Sequence, residues 1–116
     1  MTDDNRSTGK TTMAPEVLLT IIRMSALGVE GVSRIAPVSV GLNRLFKNSS
    51  EPGVHILVED DLVYIDLYLV MKQDVNVREV SRNVQTQVAR AISEMVGMEV
   101  GHVNIHIEDI EYEAED

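Results

Sequence analysis

Three histidines, a scatter of carboxylates and one glycine–lysine–threonine triplet are the side chains here that could do chemistry. His102 and His106 invite a metal reading, but four residues along a strand span ~13 Å, too far for two ligands of one ion at ~2 Å each. His55 and Asp66 fall opposite each other in the hairpin register derived below, as a charge-assisted cross-strand pair would. Such a pair suggests a general base, yet no Ser or Cys nucleophile accompanies it in the same alternating pattern. Gly9-Lys10-Thr11 matches the end of a phosphate-binding loop, but the glycine required five positions earlier is Asp4. The chain has no Cys, which removes disulfides, thiolate catalysis and Cys-based zinc sites together. The expectation is a protein that is not an enzyme, with no catalytic residues, cofactor or metal.

The elements that would position these side chains are written in the apolar spacing. Alternation by two runs through Gly53–Glu59 and again from Leu62 to Met71. It gives way to helical spacing at Val77, Val80, Val84, Val88, Ala91, Ile92 and Met95, then returns at Val103, Ile105 and Ile107. Asp60-Asp61 reads as a hairpin turn without the preferred Gly, pairing Val58 with Val63, Ile56 with Ile65 and Val54 with Leu67. Asn76 caps the second helix with Glu79 as its reciprocal partner, and Gly97 closes it. Ahead of these, Pro15 opens a first helix with a stripe of Val17, Leu18, Ile21, Met24 and Ser25, stopped at Gly28. Val32–Ile35 and Val38–Val40 read as a short strand broken by Pro37, Leu42, Leu45 and Phe46 as one amphipathic turn, and 48–53 as a loop. The fold class is α+β in two layers: a small mixed sheet of three to four strands with two helices on one face, in the order α-(β)-β-β-α-β.

Composition sets the outer bounds. A chain of 116 residues makes one domain that buries about two-thirds of its unfolded surface. Residues 1–13 are polar and expected to be disordered, 14–110 form the single domain, and 111–116 an acidic tail. The net charge of −9 is concentrated at this end of the chain: from Glu108 onwards Glu108, Asp109, Glu111, Glu113, Glu115 and Asp116 face no base. An acidic end repels phosphate, which disfavours nucleic-acid and anionic-lipid partners. Arg34, Arg44 and Lys47 form a local basic segment, too few charges for anchoring at ~1 kcal/mol each. No apolar run approaches the ~20 residues of a membrane span, so direct membrane insertion is not expected, and the polar N-terminus and lack of Cys suit a cytoplasmic protein.

Strand parity then assigns two faces. Val54, Ile56, Val58, Val63, Ile65, Leu67, Leu69, Met71, Val103, Ile105 and Ile107 point towards the helices. The alternate row holds His55, Leu57, Glu59, Leu62, Tyr64, Asp66, Tyr68, Val70, His102, Asn104, His106 and Glu108, with no third helix to cover it. An open face carrying two tyrosines among apolar residues suggests a docking or self-association surface. Its expected interaction residues are His55, Leu57, Tyr64, Asp66, Tyr68, His102 and His106.

Gly28-Val29-Glu30-Gly31-Val32 after an amphipathic helix resembles the signature of the alkaline shock family, general-stress or envelope-stress proteins found mainly in Gram-positive bacteria. The resemblance continues through Pro15–Leu18, Gly53–Ile56, Tyr64–Leu67, Val77–Val88, Met95–Val100 and Val103–Ile107, in that order. It implies a non-enzymatic, cytoplasmic interaction or scaffold protein linked to cell-envelope homeostasis. It also implies self-association and docking to an integral membrane partner, with Gly28, Glu30 and Gly31 as the signature loop. A second reading is a KH-like nucleic-acid module, because Gly28-Val29-Glu30-Gly31 also fits a Gly-x-x-Gly clamp. Against that clamp, Glu30 stands where a basic residue would help.

Overall fold

The computed structural model describes residues 14–38 and 50–112. Helix α1 (Pro15–Leu27) is followed by strands β1 (Val32–Ile35), β2 (Ser50–Glu51), β3 (Val54–Glu59) and β4 (Leu62–Lys72), then helix α2 (Val77–Val96) and strand β5 (Glu99–Glu111). The class is the expected two-layer α+β. The segments 1–13, 39–49 and 113–116 lie outside the described residues, and with them the tails, Ser39-Val40, Leu42, Leu45, Phe46, Arg44 and Lys47. β5 runs to Glu111, one residue past the expected domain end.

β4 is the spine of a mixed five-stranded sheet. β5 pairs parallel along its whole length, while β3 and then β1 share its other edge antiparallel, with β2 outside β3. The β3–β4 register has Val58 on Val63, Ile56 on Ile65 and Val54 on Leu67, as the alternation predicts. The turn joining them holds Asp60 at φ 51° and Asp61 at φ 67°. Left-handed values at both central residues are what the twist-matched hairpin turn demands, and Asp tolerates them better than most residues. Ser50–Glu51, expected in a loop, instead pairs with Val54 and His55 as a two-residue strand.

Both helices cover the aliphatic row. Ile65, Leu67, Leu69 and Met71 of β4 meet Ile22 of α1 and Val84, Val88 and Ile92 of α2 in a core closed to solvent. α2 begins at Asn76, whose side chain accepts from the Glu79 amide at 3.0 Å, and ends at Gly97 with φ 81°. The stripe of α1 differs from expectation. Leu18, Leu19, Ile21, Ile22 and Ala26 are buried, whereas Val17 and Met24 are 41% and 67% exposed. Apolar residues surround most of α1, so spacing alone leaves its rotation open, and packing against α2 and the sheet selects it. Gly28 also closes this helix in the right-handed region, at φ −80°.

Parity fails at one open-face position. Val70, 2% exposed, is buried on a central strand between Arg34 of β1 and Asp109 of β5 in the register. Arg34 Nε lies 3.4 Å from Glu111 on the far side of β4, so its stem crosses over the short valine. The same contact neutralises the first base of the basic segment.

Candidate functional site: the open sheet face

Three strands lay the expected residues out as a grid. Leu57 of β3, Tyr64 of β4 and His102 of β5 form one cross-strand row, and His55, Asp66 and Asn104 the next. Tyr68 beside His106 completes the pattern. A concavity of about 440 Å³ opens over the first two rows, lined by His55, Leu57, Glu59, Tyr64, Asp66, His102 and Asn104. All seven side chains singled out by parity thus stand on one surface.

Ring contacts and one carboxylate order this surface. Tyr68 and His106 stack with centroids 4.4 Å apart and planes 13° from parallel. Tyr64 and His102 meet at 4.9 Å and 56°. Asp66 Oδ1 lies 2.9 Å from His106 Nε2 and accepts from Asn104 Nδ2 at 3.3 Å. An ionised carboxylate only accepts, so Nε2 is the protonated ring nitrogen in this bond. The register places Asp66 opposite His55 as expected, and the carboxylate's bonds to His106 and Asn104 come from β5, on the other side of β4. Burial, and then the carboxylates of Asp66 and Glu108, hold the Tyr68 phenol above its ordinary pKa, so it stays a neutral donor into alkaline solution.

Gly101, to which strand alternation assigns no role, makes the grid possible. A Cβ there would lie 2.3 Å from the Tyr64 ring. The register slips by one residue between Val63 and Tyr64, leaving Gly101 as the extra residue of a bulge under that ring. The available signal was a glycine interrupting a strand pattern. Among the described residues, no group of three or more His, Asp or Glu is placed to hold a metal ion.

The signature loop lies elsewhere. Gly31 takes φ 105°, a Cβ on it would lie 2.6 Å from Val80 of α2, and its carbonyl accepts from the Lys72 amide at 2.9 Å. Its glycine is thereby explained by core packing. A polar groove beside it is lined by Met24, Ser25, Gly28, Glu30, Asn83 and Gln87.

The domain is a two-layer α+β fold whose sheet, among the described residues, leaves one aromatic-bearing face outside the cover of both helices. The chain is a member of the alkaline shock protein 23 family, described as having a cell envelope-related function, whose model matches residues 3–112. Its relatives include the uncharacterized protein YqhY of Bacillus subtilis, 28% identical over 98% of this chain and 86% of that protein. An uncharacterized protein of Streptococcus pyogenes is 32% identical over 88% of this chain and 79% of its own length. Among solved structures, two variants of the MamM CTD match with a TM-score of 0.52. They are 12% and 11% identical and cover 83% of this chain and 95% of theirs, a likeness of fold alone.

Proposed function

We propose that this protein is a non-enzymatic interaction or scaffold protein of bacterial cell-envelope homeostasis and stress response. In this reading it resides in the cytoplasm, self-associates, and docks through its open sheet face to a membrane-anchored partner protein. One observation carries the reading: the paired rings Tyr64–His102, in one row with Leu57, and Tyr68–His106 further along the same strands stand on a face that neither helix covers. Aromatic side chains of this kind, apolar in body and polar at the tip, are the residues that anchor protein interfaces. Among the described residues no helix is long and apolar enough to cross a membrane. Recruitment to the envelope therefore calls on a protein partner in this account.

The test is co-sedimentation of the purified chain with membranes from its own cells. The wild type is expected to pellet with intact membranes and to be released when their exposed proteins are trimmed by protease. Tyr68→Glu is expected to lower the pelleted fraction severalfold, with an unchanged circular dichroism spectrum, as an interface anchor worth ~1 kcal/mol or more would. Equal pelleting of the two chains, or equal binding to protein-free lipid vesicles, would count against the reading.

A further inference from the structure

Among the described residues the edge of β5 away from β4 carries no strand. Two observations fix which backbone groups point outward there. Gln85 of α2 donates to the Val103 carbonyl at 2.8 Å, from outside the β4–β5 ladder. At the other end the Glu111 carbonyl accepts from Gln73 at 3.1 Å on the β4 side, and one bulge residue lies between Ile107 and Asp109. Strand alternation from either end, with the bulge counted, turns the N–H and C=O groups of Val103, Ile105 and Ile107 away from β4. Among the described residues β5 pairs with β4 alone. Among these outward groups only the Val103 carbonyl has a described partner, Gln85, and a strand edge left this open is a template for another strand.

Native edges are usually defended by charge, and here the charges sit only at the ends. Glu99 lies before the stretch and Glu108, Asp109 and Glu111 after it, leaving Val103-Asn104-Ile105-His106-Ile107 uncharged apart from the imidazole. We infer that two copies of this protein join β5 to β5, antiparallel about a two-fold axis at Ile105, into one continuous sheet. That register sets Ile105 on Ile105 and Val103 on Ile107 as hydrogen-bonded pairs, with about six backbone bonds across the axis, two of which share the Val103 carbonyl with Gln85. Beyond these pairs it brings His102 of one copy towards the bulged Glu108 of the other, twice, an imidazole beside a carboxylate on each side. A parallel arrangement would instead align the two acidic ends and could not close. The helix-facing side chains agree: Val103 is covered, but Ile105 and Ile107 are only half-buried in the single chain. A neighbouring β5 adds cover where α2 runs out.

This deepens the proposed function and rests on its claim that the chain self-associates. It assigns that contact to the edge and leaves the ring-bearing face for the partner. Because the chain has no Cys, a single introduced one reports symmetric proximity without background. Paired residues on the axis have Cα atoms ~5.5 Å apart, within disulfide range. Sedimentation velocity of the full chain should show a reversible dimer, and mild oxidation should cross-link Ile105→Cys into a dimer while Leu57→Cys, on the open face, stays monomeric. His102→Glu should weaken the dimer at least fivefold, and adding Glu108→Lys should restore it. A wild-type chain that stays monomeric up to ~1 mM would overturn both this contact and the self-association. A dimer that cross-links through Leu57→Cys and not Ile105→Cys would overturn the edge contact alone.

Discussion

Replacing Gly53 with alanine is expected to cost about 2–5 kcal/mol of folding stability, combining left-handed backbone strain with overpacking of a closed site. Gly53 holds φ 84°, and a Cβ on it would lie 2.2 Å from the Ala36 carbonyl oxygen and 2.4 Å from the Ile35 side chain. Its backbone also joins three segments. The Gly53 amide donates to Val38 at 2.8 Å and its carbonyl accepts from Tyr68 at 2.9 Å, while the Tyr68 carbonyl accepts from Ala36 at 2.8 Å. This is where the edge of β4 passes from β3 to β1, so no neighbour can move aside without disturbing the sheet beneath Tyr68. Gly97 is the internal control. It has nearly the same φ, 81°, but nothing within 4 Å of the added carbon. Alanine there should cost only the left-handed penalty, about 1–2 kcal/mol. Urea titration of the two variants separates the terms; equal midpoints would mean that the approach to Ala36 carries no energy.

Gly101→Val is expected to act the other way round, sparing stability and removing recognition. The backbone of Gly101 is not left-handed, and the atoms that a Cβ would strike belong to the Tyr64 ring, at 2.3–3.0 Å. A ring on a half-open face can swing, so the folding cost should stay within ~1 kcal/mol, as for most surface changes. The swing, however, breaks the Tyr64–His102 contact and fills the concavity between Leu57 and Asn104. Membrane co-sedimentation should fall about tenfold, ~1.4 kcal/mol, because two anchors are displaced at once. A variant that binds as the wild type does would show that the ring does not hold this surface in place, and one that unfolds would show that the ring cannot swing aside.

How far these features could be read from the chain depended on how many constraints each residue carried. Strand parity was legible because every second residue is aliphatic from Val54 to Val58 and again from Val63 to Met71, and the hairpin register reinforces it. The cap at Asn76 and the stop at Gly97 were legible because side chain and backbone need agree only locally. The rotation of α1 was not, since Val17, Leu18, Leu19, Ile21, Ile22 and Met24 offer several apolar stripes and only the packed neighbours choose among them. Val70 was misplaced for a similar reason: its cover is the stem of Arg34, which reaches it across a register that sequence does not display. The bonds of Asp66 were missed because they join β4 to a strand lying beyond the whole of α2 in the chain. Local patterns survive in sequence, and contacts between distant segments do not.

Hydroxyl-radical footprinting of the chain, free and bound to its cell membranes, measures most directly which layer does the recognising. The open sheet face offers Tyr64, Tyr68, His102 and His106, and the helical layer offers Met24 and Met95, which are 67% and 68% exposed and highly reactive towards radicals. Docking through the sheet predicts that the tyrosines and histidines become protected while both methionines oxidise at their free rate. Protection of Met24 and Met95 with the four rings unchanged would place the partner on the helices and contradict the account.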